Sequence, residues 1–216
     1  MKIAQEKLAD VPGLVRCESC DGDTMAALAV EMTHSVYKHE QQYGPYCPIQ
    51  DHIDCPPEVI YRYMANVHSL SEWTYSVRDF RETATPGLYE GIDAVDANTK
   101  LFCKVVANPD ALTVDYHCAW DQGDDLWMIY LNRIVPAELV FKRPGSVVFW
   151  VNCHHPYYDE NPYPRLVPHD KRLWVGEMWH FFYAGHTIEL RNLKAILEYR
   201  HKHGLPIGPH LAETAP

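Results

Sequence analysis

The chain has 216 residues and a mass of 24.9 kDa, a length typical of one domain with an extension. Hydrophobic residues make up 47% of it and charged residues 22%, which excludes an intrinsically disordered chain. Its 29 acidic residues outnumber 19 basic ones, and the resulting formal charge of -10 repels phosphate backbones. We therefore expect no nucleic-acid partner.

The cysteines and the amino terminus indicate the cellular compartment. Seven cysteines are an odd number, and several lie in strand-like apolar runs, so we interpret them as reduced thiols. Residues 1–10 lack an apolar leader segment, and no apolar run approaches the roughly 18 residues that a membrane span needs. The sequence thus predicts a cytoplasmic protein with no membrane partner.

The first predicted element is an amphipathic helix over residues 24–40, with apolar side chains at helical spacing from Met25 to Val36. A turn at residues 43–46 follows this helix. The turn predicts a boundary between an amino-terminal extension, residues 1–46, and a main domain, residues 47–216.

The main domain opens with a short strand over residues 49–55, followed by a helix that starts at Pro56 because proline is tolerated in a first turn. Residues 75–184 then alternate with a period near two and contain about six strands separated by turn residues. A long helix over residues 187–202 comes last. This order predicts an α+β fold with an antiparallel sheet of about seven strands.

Two stretches resemble a known superfamily. The segments DCPPEVIYRYMANVHSLSEW (Asp54–Trp73) and HTIELRNLKAILEYR (His186–Arg200), with the strands between them, resemble the START-like, or SRPBCC, superfamily. The resemblance implies the helix-grip fold, in which a curved sheet wraps a long carboxy-terminal helix and encloses a deep apolar cavity. It implies no single reaction, because the superfamily includes polyketide aromatase/cyclases, lipid and sterol carriers, plant allergens and oxygenase domains.

The alternation along residues 111–120 indicates which side chains line that cavity. Pairing about a turn at Gly123 predicts Tyr116 opposite Tyr130, Cys118 opposite Met128 and Val114 opposite Asn132, all facing inward. Tyr130 and Asn132 would then be polar groups in an apolar space. The side chains predicted to contact a ligand are Trp73, Tyr116, Cys118, Trp120 and Met128.

The opposite face of the sheet is also apolar by sequence. Trp127, Ile129 and Leu131 share one side of their strand, and residues 147–151 are apolar on both sides. We expect the helix over residues 24–40 or a second subunit to cover this face. A homodimer therefore remains one of the alternatives.

Histidines cluster where a strand runs into a proline-rich loop. Neighbouring residues of a strand face opposite sides, so one of His154 and His155 points inward. A site formed by one of these histidines with Asp159 or His117 would suit a divalent metal or proton transfer. The alternative is that these are loop histidines hydrogen-bonded to backbone or water.

Two further features remain open. Glu177 and His180 lie in residues 173–183, interpreted as the last strand, and their different parity places one of them in the cavity. The alternative is a buried group that neighbouring strands satisfy. Cys17 and Cys20 have the spacing of half a zinc knuckle, but no second pair follows, so free loop thiols are the alternative.

We therefore expect a small-molecule enzyme of the aromatase/cyclase kind, acting on a hydrophobic, polyketide-like or aromatic substrate. The catalytic candidates are Tyr130, Asn132, His155, His180 and Glu177. One alternative is a non-catalytic carrier or sensor of a hydrophobic ligand. A second alternative is a metal-dependent enzyme that uses the loop from His154 to His169, and outside this alternative we expect no cofactor.

Overall fold

The computed structural model describes residues 8, 11–16, 18, 22–36, 45–94, 99–120, 125–165, 175 and 179–209. The helices are α1 (Gly22–Val36), α2 (Pro57–Met64), α3 (Leu70–Trp73), α4 (Ala137–Phe141) and α5 (Trp179–Lys202). The strands are β1 (Tyr46–Ile53), β2 (Val77–Glu82), β3 (Leu88–Asp93), β4 (Lys100–Asn108), β5 (Thr113–Trp120), β6 (Met128–Pro136) and β7 (Ser146–Cys153). Short 3₁₀ turns lie at Val67–Ser69 and Pro156–Tyr158.

The seven strands form one antiparallel sheet in the order β1-β7-β6-β5-β4-β3-β2. Strands β2 to β7 follow one another as a meander, and β1 pairs with the outer edge of β7, so that Ile49 lies opposite Trp150. The sheet is curved, and α5 packs across its concave face. This arrangement confirms the predicted α+β, helix-grip fold.

The register between β5 and β6 is the predicted one. Tyr116 lies opposite Tyr130 and Cys118 opposite Met128. Because side chains alternate along a strand, this register fixes which residues face α5. Tyr116 and Cys118 are accordingly buried on the concave side.

Helix α2 begins at Pro57, within the predicted proline-rich start, and buries Ile60, Tyr63 and Met64. Its last turn is tied to the sheet, because the Tyr116 hydroxyl donates a hydrogen bond of 2.8 Å to the Met64 carbonyl. The helix therefore closes one end of the space between the sheet and α5.

The carboxy-terminal helix is longer than predicted. It begins at Trp179 rather than at residue 187, so the interpretation of residues 173–183 as a last strand is wrong for residues 179–183. A continuous apolar and aromatic run does not by itself distinguish a buried strand from a buried helix. Within the described ranges, no helix combines the length and the apolar character needed to cross a bilayer.

The expected cover of the convex face is also wrong in part. Helix α1 packs against α5, where Met32 contacts the Arg191 guanidinium at 3.9 Å, and not against the outer side of the sheet. The convex side chains of Val106, Leu131 and Phe149 remain exposed. Residues 37–40 of the predicted helix lie outside the described residues, and a second subunit as cover remains a prediction.

Trp127 was expected on the convex face and is instead buried. It precedes β6, which begins at Met128, so strand parity does not apply to it. Its ring packs against those of Tyr158, at 4.8 Å between centroids, and Tyr157, at 5.6 Å. It belongs to an aromatic cluster at one end of the sheet.

A buried ion pair joins α3 to α5. The Arg200 guanidinium donates two hydrogen bonds to the Glu72 carboxylate, of 2.7 and 2.9 Å, and both side chains are at most 2% exposed. Tyr63 of α2 donates a third hydrogen bond to the same carboxylate. These three side chains fix the position of α5 relative to α2 and α3, because a buried carboxylate needs all of its partners to offset its lost hydration.

Replacing one partner of this pair should be costly. We expect Arg200→Met to lower the free energy of unfolding by about 3 to 5 kcal/mol, since it leaves an uncompensated buried carboxylate. The matched control is Lys100→Met, which breaks the exposed pair with Glu90 and should cost less than about 1 kcal/mol. Urea unfolding of both variants measures the difference, and equal losses would contradict the structural role of Glu72 and Arg200.

Candidate functional site

A cavity of about 130 Å³ lies between the concave face of the sheet and the first half of α5. The wall is mostly apolar and aromatic. Half-buried side chains, among them Val77, Leu101 and Phe181, form part of this wall. The structure places all five side chains predicted to contact a ligand in the wall, namely Trp73, Tyr116, Cys118, Trp120 and Met128.

Trp73, the last residue of α3, is held from two sides. Its indole nitrogen donates to the Ser69 hydroxyl at 3.3 Å, and its carbonyl accepts a bond of 3.1 Å from the Asn192 amide of α5. Its ring is perpendicular to that of Trp150, at 5.6 Å between centroids. Aromatic pairs with this edge-to-face geometry are mutually attractive, so the wall keeps its shape without a ligand.

Of the two polar groups predicted to point inward, only Tyr130 lines the cavity. Burial raises the pKa of its phenol well above the usual value, and the neighbouring Tyr158 raises it further. Asn132 shares this face of β6 but lies outside the cavity wall, and its amide donates a bond of 2.9 Å to the Val114 carbonyl across the strand pair. Asn132 therefore stabilises the sheet and does not line the cavity.

Helix α5 brings two titratable side chains to the cavity that the sequence prediction missed, His186 and Glu189. The His186 ring stacks on Trp150 at 4.7 Å and meets Tyr130 edge-on at 5.3 Å. Burial lowers its pKa to about 3, so the imidazole is neutral at physiological pH. Within the described part of the chain, its Nδ1 atom has no hydrogen-bond partner.

Glu189 lies one turn further along α5 and is 7% exposed. Among the residues that the structure describes, one hydrogen bond reaches its carboxyl group, and it is long: the Tyr75 backbone N–H donates to Oε1 at 3.4 Å. Burial raises the pKa of the Glu189 carboxyl to about 8, and the charge of Asp93 acts in the same direction. The Tyr75 N–H and Arg78 act in the opposite direction but do not outweigh burial, and the Arg78 guanidinium is itself paired with Glu18 through two bonds of 2.8 Å.

His186 was missed because the last strand was wrongly assigned, whereas Glu189 lies within the predicted helix but was not recognised as facing the cavity. In a strand, Glu177 and His180 are candidates for the cavity, whereas a helix continuing to residue 202 presents His186 and Glu189 on one face. The sequence does contain one signal for them: His186 and Glu189 are three residues apart within an otherwise apolar stripe, the spacing of neighbours on one face of a helix. Glu177 lies outside the described residues, and of His180 the structure describes only the backbone, within α5.

Two indole N–H groups of the wall also lack partners. Trp120 Nε1 and Trp150 Nε1 are buried and have no acceptor among the residues that the structure describes. Both atoms are buried within the packed wall rather than exposed to the cavity. An unsatisfied buried donor is unfavourable, so these two N–H groups lower the stability of the wall.

The histidine loop forms a separate cluster. His154 stacks on Trp179 at 4.5 Å, and its Nε2 lies 3.3 Å from a carboxylate oxygen of Asp159. His155 instead accepts a bond of 3.1 Å from the Tyr157 backbone N–H, the local capping role foreseen as its alternative. His117 follows Tyr116 in β5 and therefore faces the convex side.

The structure thus brings together only His154 and Asp159 of the four side chains proposed to bind metal. Among the residues in the described ranges, no three of the His, Cys, Asp or Glu side chains are close enough to share a metal ion. Cys17, Cys20 and His169 lie outside these ranges. A divalent metal consequently remains a prediction from the sequence.

Comparisons with known proteins identify the fold and no more. No protein-family model matches the chain, and no curated protein matches it. Among solved structures, XoxI from Bacillus cereus matches with a TM-score of 0.50 and 11% identity, over 71% of this chain and 96% of that one. A START superfamily protein from Mycobacterium smegmatis matches with a TM-score of 0.46 and 10% identity, over 74% and 99%. At such identities the likeness concerns the START-like fold alone.

The two buried titratable groups predict opposite pH dependences of stability. Because folding raises the pKa of Glu189 from 4.5 to about 8, its protonated form stabilises the fold, and this contribution is lost as the pH rises from about 4.5 to about 8. Relative to Glu189→Gln, the wild type should lose on the order of 1 kcal/mol or more over this range, measured by urea unfolding.

His186 provides the matched control with the reverse sign. Folding lowers its pKa from 6.5 to about 3, so the wild type should gain stability relative to His186→Gln as the pH rises from about 3 to 6.5. Parallel pH curves for the wild type and both variants would contradict the assignment of Glu189 and His186 to a dry cavity.

Proposed function

We propose that this protein binds one small, predominantly aromatic molecule in the cavity between α5 and the sheet. The observation that carries the proposal is a buried, mainly aromatic wall that surrounds a space and also contains polar groups, among them Tyr130, His186, Glu189 and Asp93. Ligand sites in proteins typically combine such an apolar surface with a small number of polar groups that orient the ligand.

The size of the cavity supports a ligand of about one ring. Its volume of about 130 Å³ is close to the roughly 150 Å³ of an engineered apolar cavity that holds benzene. A polyketide chain would need the walls to move apart, for example through the half-buried Phe181 and Leu101. The geometry therefore favours a single-ring compound over the polyketide substrate expected from the sequence.

Acid/base catalysis on such a ligand is the second candidate function. The supporting observation is Glu189, because a general acid or base works best when its pKa is near the working pH. Tyr130 is the other group of this wall able to take part in proton transfer, whereas His155 is occupied in capping the loop. Turnover of a bound compound, lost in Glu189→Gln while binding persists, would distinguish an enzyme from a carrier or sensor.

Filling the cavity tests the binding function. Gly185 lies within α5 and lines the cavity, and a Cβ atom there would meet its nearest neighbour, Tyr75, at an unstrained 3.4 Å. Gly185→Ala should raise the free energy of unfolding by up to about 1 kcal/mol, because glycine is a poor helix former. Gly185→Leu should abolish binding of benzene or indole, since its side chain occupies the space of the ring.

Isothermal titration calorimetry or NMR titration measures this binding. Arg191→Leu is the matched control, because it places the same side chain on the exposed side of the same helix and should leave affinity unchanged. If Gly185→Leu binds benzene and indole as the wild type does, or if the wild type binds neither, the proposed function is wrong.

A further inference from the structure

We propose that Glu189 determines ligand specificity: as an uncharged carboxylic acid it donates a hydrogen bond to a carbonyl-type acceptor, so that the cavity selects neutral aromatic carbonyl compounds over protonated arylalkylamines. This inference rests on the proposed function, because it names the class of compound that the same cavity binds.

The position of Glu189 makes its carboxyl group available to a ligand. The side chain lines the cavity although it is 7% exposed overall. The Tyr75 N–H reaches Oε1 only at 3.4 Å, and none of the described residues bonds Oε2. A buried polar group is normally hydrogen-bonded, so the unused oxygen indicates a partner that arrives with the ligand.

The neighbouring charges do not stabilise a carboxylate at this position. Arg78 of β2 is a cation that faces Glu189. Its Nε and Nη2 atoms, however, donate bonds of 2.8 Å each to the carboxylate of Glu18. Asp93 of β3 faces the same region and repels a second negative charge. A buried carboxyl that lacks a paired cation takes up a proton, because burial disfavours the charged form.

Besides the charged Arg78 and Asp93, the titratable side chains His186, Tyr130 and Cys118 lie around Glu189 and are uncharged near neutral pH. Burial lowers the pKa of His186 to about 3, and burial raises the pKa values of Tyr130 and Cys118 well above their usual ranges. The raised pKa of Glu189, about 8, agrees with the same geometry. The interior that a ligand enters is therefore uncharged at Glu189, Tyr130 and His186, and it contains an O–H donor.

A carbonyl group complements this interior better than an ammonium group does. It accepts the Glu189 O–H without bringing a charge into an apolar space, whereas an ammonium must lose its own hydration and ionise the carboxyl.

Three probes of nearly the same shape separate these possibilities: acetophenone, isopropylbenzene and 1-phenylethylamine. We would titrate each into the wild-type protein and into Glu189→Leu and Glu189→Gln by NMR at pH 6.5. We expect Glu189→Leu to weaken acetophenone binding about three- to tenfold, the effect of one hydrogen bond, without weakening isopropylbenzene binding. Glu189→Gln should retain acetophenone binding, because its amide N–H donates in place of the acid.

Raising the pH tests the same hydrogen bond in the wild-type protein, without a substitution. Between pH 6.5 and 9.5 the wild type should lose affinity for acetophenone relative to isopropylbenzene, whereas Glu189→Gln should show no such change. Tighter binding of 1-phenylethylamine than of acetophenone, or the same ratio of acetophenone to isopropylbenzene affinities in all variants and at both pH values, would overturn the inference. If the inference fails in this way but isopropylbenzene still binds, the proposed function remains supported. If none of the three probes binds, both the inference and the proposed function are wrong.

Discussion

The position of α5 against the concave face of the sheet depends on a buried ion pair. Glu72 and Arg200 lie 128 residues apart in the chain, and their two hydrogen bonds connect the end of α5 to the short helix that carries Trp73. Asn192 adds a second connection, because its side chain bonds both to Val15 and to Trp73. These polar contacts outside the cavity hold α5 and the short helix of Trp73 in place, and the ring contacts between α5 and the sheet complete the wall.

This construction explains how a space can persist inside a protein. A hydrophobic interior normally packs to high density, and a void costs the contacts that its lining atoms lose. The rings of Trp73, Trp150, Tyr130 and His186 hold one another edge-on or stacked, so the wall does not collapse inward. A neutral imidazole and a buried acid in that wall reduce stability in opposite pH ranges, which is typical of a site kept for binding rather than for folding.

Local patterns predicted the sheet well and the carboxy-terminal helix poorly. The alternation in β5 and one turn were sufficient to place Tyr116 opposite Tyr130, because the turn sets the pairing and a one-residue slip would expose the apolar face. The aromatic run before residue 187 has no such constraint, since a strand and a helix both bury it. The long-range partners Glu72 and Arg200 have no local signal. His186 was missed because the helix begins at Trp179 rather than at residue 187, whereas Glu189 lies within the predicted helix and its position in the cavity depends on how that helix packs on the sheet.

The central claim is that α5 and the sheet enclose a space that accepts one aromatic ring. A crystal structure of the protein soaked with bromobenzene tests it most directly, because the anomalous signal of bromine locates the ring without reference to the rest of the density. The account predicts a single strong peak enclosed by Trp73, Trp150 and Glu189. Side chains filling that volume, or bromine only at the outer surface of the protein, would contradict it.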